Sequence, residues 1–275
     1  MKIDRLDLDG LGSPAALAAR IHELEPEMSA RVPVEELCRC MDITSISELE
    51  TEGFEAAIVM DELKAAGAIL VAKNRPPPRR RYSIAHELGH FLIPSHRPVQ
   101  GLSFECSLDD FHLLDPKERD RRKRVEAQAN RFAANLLMPP DRLRARMQQA
   151  EPCLEDIVAI AQEFGVSKEA MARAWVDANR NPVAIIVLHR GRVERLYRHE
   201  DFPWIEDQNR RVPIGSIAGA GTPHAGEYTA VEEIEPDVWL SERSATRVLS
   251  LTEQVLGQSS QYALVLLQAE LDDEE

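Results

Sequence analysis

The sequence predicts an α+β protein, mainly helical with a small β-sheet ahead of residue 180 and smaller and mixed α/β beyond it. Three observations carry this expectation. Helical periodicity recurs along residues 17–42, 83–93, 117–137 and 154–178. Two short apolar runs, Phe54 to Met60 and Ala68 to Ala72, break into that helical part with the composition of strands. After Asn179-Arg180-Asn181-Pro182 the pattern changes to β-branched runs. The expected organisation is therefore one domain over residues 1–180 and a second over 181–275.

Residues 17–42 read as helix interrupted by Pro33, which lacks the backbone donor a helix interior needs. The apolar runs at 54–60 and 68–72 read as paired strands about Asp61-Glu62 and Gly67, and the second is a candidate edge for an extended substrate. Asn74 to Pro78 holds three consecutive prolines and reads as an irregular loop. The next helix is expected to start at Ser83 as its cap, to bury Ile84, Leu88 and Phe91, and to stop at Pro94. An irregular polar segment follows to Pro116, then a long helix from Lys117 to Leu137, ended by Pro139-Pro140. Leu154 to Ala178 reads as two helices about Gly165-Val166-Ser167, a helix-turn-helix hairpin. Val183 to His189, Val193 to Tyr197 and Ala263 to Leu267 read as strands, with Trp204, Trp239 and Tyr262 expected in the core around them. The final acidic residues, Asp272 to Glu275, are expected to fray.

Hydrophobic residues make up 44% and charged residues 29%, the balance of a soluble globular chain. No run of about eighteen apolar residues suggests a membrane span, and the first residues lack the apolar core of a signal peptide, so the cytoplasm is the expected compartment. With 33 basic against 47 acidic residues the net charge is −14, which repels bulk nucleic acid and favours basic partners. Arg79-Arg80-Arg81 and the run from Arg119 to Arg124 stand against that balance and read as solvated surface. Cys38, Cys40, Cys106 and Cys153 read as reduced thiols, and Cys38-Arg39-Cys40 is too closely spaced for a zinc knuckle.

The chemistry centres on His86-Glu87-Leu88-Gly89-His90. Four-residue spacing on a helix puts His86 and His90 on one face, where both imidazoles can reach one metal ion. Glu87 then stands beside the metal as a candidate general base for a water molecule. A catalytic zinc takes three protein ligands, and two residues compete for the third place. His96 has the spacing of H-E-x-x-H-x-x-G-x-x-H, but Ile93 occupies the position of the turning glycine. Glu126 shares a helical stripe with Ala129, Ala133 and Leu137, where a buried carboxylate calls for a cation and the alanines allow a second helix to approach.

Arg81 to His90, followed by Glu126-x-x-Ala129-Asn130-x-Phe132-Ala133-x-x-Leu136-Leu137-Met138-Pro139, closely resembles the ImmA/IrrE zinc metallopeptidases over roughly residues 30–178. The resemblance implies a zincin-like metallopeptidase domain in which His86, His90 and Glu126 hold Zn2+ and Glu87 is the base. It implies as substrate a helix-turn-helix transcriptional repressor, whose basic surface would suit an acidic enzyme. Tyr82, Arg81 and His112 are candidates for a second electrophile, and Asn130 for orienting a ligand. Two other readings stand beside this one. Hairpin 154–178 could read DNA, although Glu169 and Asp177 offset Lys168 and Arg173, so direct nucleic-acid binding is not expected. The chain could also be a zinc-stabilised interaction protein without turnover.

Overall fold

The computed structural model describes residues 1–50, 53–97, 103–106, 121–148, 152–205 and 211–272. The chain divides into two compact units, Met1–Arg142 with Glu163–Ser167, and Leu143–Gln162 with Lys168–Glu275. The first is helical around a small sheet and the second is β-rich, so the fold is α+β as the sequence predicts.

In the first unit, α1 (Pro14–Leu24) starts at Ser13, whose side chain accepts from Ala16 N. Then α2 (Val34–Cys40) begins directly after Pro33. The stretch expected as one interrupted helix is thus two, because a proline tolerates only the start of a helix. Next comes β1 (Ile43–Leu49), which the sequence did not suggest; its side chains are mostly exposed, so it carries no apolar alternation to read. The expected strands follow as β2 (Ala56–Met60) and β3 (Gly67–Ala72).

The helix bearing the H-E-x-x-H motif, α3, spans Pro77–Leu92. It starts well before Ser83, and the proline run that reads as a loop supplies its beginning. Pro77 and Pro78 occupy the first turn, where a backbone N–H would have no helical partner, with Pro76 as the cap. At the other end the ammonium of Lys64 donates to the carbonyls of His90 (2.9 Å), Phe91 (3.2 Å) and Ile93 (2.8 Å), satisfying groups a helix terminus leaves open. The arginine run at 79–81 is not simply solvated. Arg79 pairs with Glu55, a carboxylate only 1% exposed, and Arg80 pairs with Glu35 of α2 at 2.6 Å. Arg81 is itself buried and donates through Nε to Gly165 O at 3.1 Å. Guanidinium groups satisfy buried acceptors in this way because their donors form a fixed planar fork.

Then β4 (Ser103–Cys106) falls inside the segment expected to be irregular and pairs antiparallel to β2. The sheet order is β1-β3-β2-β4, with β3 parallel to β1 and antiparallel to β2. Both hydrogen-bonding edges of β3 are therefore taken, which removes it as the strand to which a substrate could add. The last long helix of this unit, α4 (Arg121–Leu137), packs against α3. They come close at Gly89, where a Cβ would lie 2.9 Å from a ring carbon of the fully buried Phe132.

Beyond α4, and setting short helical turns aside, the described elements are α5 (Pro140–Met147), α6 (Leu154–Phe164) and α7 (Lys168–Ala178), then β5 (Val183–His189) and β6 (Arg192–Arg198). They are followed by β7 (Glu232–Ile234), β8 (Val248–Gly257) and β9 (Tyr262–Leu271), which complete a sheet ordered β6-β5-β9-β8-β7. Its core gathers Ile186, Leu188, Phe202, Trp239, Val255 and Val265. The strand β8 escapes a hydropathy reading because Glu253 and Gln254 are buried in it. Glu253 accepts from Ile217 N (3.1 Å), Ala218 N (2.8 Å) and Trp239 Nε1 (3.0 Å), and Gln254 accepts from Leu154 N (2.7 Å). Such bonds offset the cost of burying a polar group, on the order of 2–7 kcal/mol when unmet. Trp239 is a core aromatic as expected, but Trp204 is 64% exposed beneath Arg198, and Tyr262 is partly exposed and stacks on the His189 ring. No helix among the described residues is long and apolar enough to cross a membrane.

The α3–α4 approach yields a prediction. Replacing Gly89 by Ala should improve local helix propensity by about 1 kcal/mol yet lower stability overall, because the buried Phe132 ring cannot yield; overpacking costs about 1–3 kcal/mol. A thermal melt in chelator should show a reduced midpoint, and an unchanged or raised midpoint would mean that the two helices separate freely.

Candidate metal centre

Two adjacent turns of α3 carry His86 and His90, and the first half of α4 carries Glu126. All three are buried, at 0%, 0% and 3% exposure. His86 Nε2 lies 3.0 Å from His90 Nε2, and Glu126 Oε2 lies 3.2 Å from the first and 3.3 Å from the second. These three could hold a metal ion. The edge of a tetrahedron with arms of about 2.0–2.1 Å is roughly 3.3–3.4 Å, so the spacing is close to that of three corners of a zinc site. Ala129 and Ala133 on α4 and Gly89 on α3 are the small residues that let the carboxylate come this near.

The proton arrangement tests whether the group fits. Asn130 Oδ1 lies 2.9 Å from His86 Nδ1. An amide oxygen only accepts, so His86 holds its proton on Nδ1 and presents a bare lone pair at Nε2. Behind His90 the partner is a third imidazole: His96 Nδ1 is 3.1 Å from His90 Nδ1, and His96 Nε2 is 2.9 Å from Gln128 Oε1. The Gln128 oxygen places the His96 proton on Nε2, which leaves His96 Nδ1 to accept and His90 Nδ1 to donate. Both Nε2 lone pairs and the Glu126 carboxylate therefore converge with no proton between them. Three buried electron-rich atoms at this spacing fit a cation. Burial, with His90 alongside, pulls the pKa of His86 down from 6.5 to about 4, and burial does the same for His96, to about 3. Both rings are neutral at pH 7.

The other candidate residues fall as follows. Glu87 is 0% exposed on α3 beside His86. His96, whose spacing made it a rival third ligand, sits on the far side of His90 and outside the converging cluster, while Glu126 lies within it. The Tyr82 hydroxyl is 2.9 Å from Asn130 Oδ1 and supports the same amide that orients His86. Arg81 is engaged with Gly165. His112 lies outside the described residues. Burial pushes the Cys38 thiol up to about 12, and none of Cys38, Cys40 or Cys153 joins the cluster. The sequence reading missed Gln128, which sits between Glu126 and Asn130 with no motif to single it out, and Lys64, a lysine in a turn.

Residues 50–175 match the family model described as the IrrE N-terminal-like domain, Peptidase_M78, which bears out the resemblance seen in the two motifs. No curated protein matches the sequence. Among solved structures, a Mycobacterium tuberculosis transcriptional regulator superposes with a TM-score of 0.55 at 17% identity, over 93% of this chain and 76% of its own. At that identity the likeness is one of fold.

The lowered His86 value has a measurable consequence. Its folded value of about 4 lies below the ordinary 6.5, so between these the unfolded chain binds more protons. The stabilising contribution is present above pH 6.5 and is lost as pH falls towards 4. Melts of the zinc-free protein should show the midpoint dropping across this window, and more steeply than in His86→Gln. Parallel curves for the two proteins would contradict the assignment.

Proposed function

We propose that the IrrE N-terminal-like domain at residues 50–175 makes this chain a zinc-dependent endopeptidase of regulatory role, with His86, His90 and Glu126 as metal ligands and Glu87 as general base. The observation that carries this reading is the convergence of two imidazole lone pairs and a carboxylate, all buried and spaced 3.0–3.3 Å apart. A zinc ion held there would polarise the scissile carbonyl, stabilise its developing negative charge and lower the pKa of water towards about 7. Glu87 accepts the proton of the attacking water and delivers it to the leaving amine, a role suited to a carboxylate one residue from a ligand. Asn130 and Tyr82 hold the His86 ring in place while this happens.

The substrate class in this proposal is a basic helix-turn-helix repressor in the cytoplasm, cleaved to release the genes it controls. The net charge of −14 supports it, because an acidic enzyme attracts such a partner at long range. Hairpin 154–178 is not assigned to DNA. Its second helix buries Met171, Ala172, Trp175 and Val176, and its Glu169 accepts from Tyr197 at 2.8 Å and pairs with Arg195. A groove-reading helix needs a free basic face instead.

Incubating the zinc-loaded protein with the repressor encoded beside its gene tests the proposal. Wild type should cut it, and Glu87→Gln should bind zinc equally while cutting about 10²–10⁴-fold more slowly. Undiminished cleavage by that variant would remove Glu87 from the mechanism. A repressor left intact by wild type under inducing conditions would instead indicate an interaction protein.

A further inference from the structure

We propose that His96 and Gln128 are positioning residues of the metal centre, a two-link chain that fixes the His90 tautomer so that Nε2 faces the ion as a bare lone pair. The inference rests on the zinc reading of the site.

The two ligand imidazoles are held differently. His86 donates directly to an amide oxygen, that of Asn130, and its tautomer is settled in one step. His90 faces another imidazole, and a pair of Nδ1 atoms 3.1 Å apart can share a proton in either sense. In one sense His90 donates and its Nε2 lone pair faces the metal position. In the other His96 donates, and the His90 proton moves to Nε2, within 3.3 Å of Glu126 Oε2. That second arrangement closes the site on itself with an internal hydrogen bond that a metal would have to displace. Gln128 Oε1, 2.9 Å from His96 Nε2, decides between them because it can only accept. His96 is fully buried, so water does not substitute for either partner.

All three acceptors that organise the centre come from one stretch of α4, Glu126-Ala127-Gln128-Ala129-Asn130. Glu126 completes the ligand set, Asn130 settles His86, and Gln128 settles His90 through His96. His96 reaches Gln128 because Ile93 and Pro94 end α3 and turn the chain back, with His96 N donating to Ile93 O at 3.1 Å.

Zinc affinity by competition with a chelator, together with ¹⁵N spectra of the imidazoles, tests this in wild type, His96→Leu, Gln128→Leu and Gln128→Glu. Removing a hydrogen-bond partner of a ligating histidine costs about 10–100-fold in metal affinity, and that loss is expected in both leucine variants. Gln128→Glu keeps an acceptor at this position and should lose less affinity than Gln128→Leu. In the zinc-free protein the His90 proton should reside on Nδ1 in wild type and shift to Nε2 in Gln128→Leu. Gln128 is only half-buried, so its variants carry the test if His96→Leu does not fold. Zinc affinity of Gln128→Leu within about twofold of wild type would overturn the proposal, as would a wild-type His90 protonated on Nε2. A wild type that takes up no zinc would sink the zinc reading itself, while its ¹⁵N spectrum would still report the His90 tautomer.

Discussion

The structure of the first unit depends on bringing three proton-acceptor atoms together, almost fully buried, where α3 meets α4. Two imidazole nitrogens and a carboxylate oxygen, 3.0–3.3 Å apart and almost fully buried, repel one another unless a cation stands among them. Small residues at the contact let α3 and α4 come close enough for this. Gly89 against Phe132 sets the distance, since no larger residue would let the helices meet so closely. Ala129 and Ala133 extend the same close contact along α4.

The helix that sets His86 and His90 side by side has both of its ends fixed. Prolines 76–78 fix the start of α3, because their φ is already near the helical value and their missing donors would have been unmet there. Lys64 fixes its end by taking three terminal carbonyls at once, including that of His90 itself. Arg80 ties the same helix to α2, and Arg81 ties it to the turn at Gly165. The arginine run thus anchors α3 from one flank while its opposite end is held by a lysine from the β2–β3 connection.

The second unit shows another use of buried polarity. Glu253 and Gln254 sit on adjacent positions of β8 with their acceptors fully engaged by backbone and indole donors. These contacts hold loops and a helix start against the sheet with directionality that apolar packing lacks.

The sequence by itself determined the helical and β-rich parts, the H-E-x-x-H helix, and the pairing of His86 with His90, because these rest on local periodicity and on four-residue spacing. It also offered Glu126 as a candidate third ligand beside His96, whose pattern is incomplete at Ile93; the second motif, read through a family resemblance, favoured Glu126. Only the tertiary structure decided which histidine stands behind the other, since His96 and Gln128 meet across two elements and neither carries a local signature. It likewise decided that β3 is interior, that a triple proline begins a helix, and that β8 is a strand despite its buried Glu253. In each case the deciding partner lies far away in the chain: a neighbouring strand, a helix terminus satisfied by Lys64, or an indole donor. Local pattern reports what a residue prefers, whereas burial with a specific partner decides what it does.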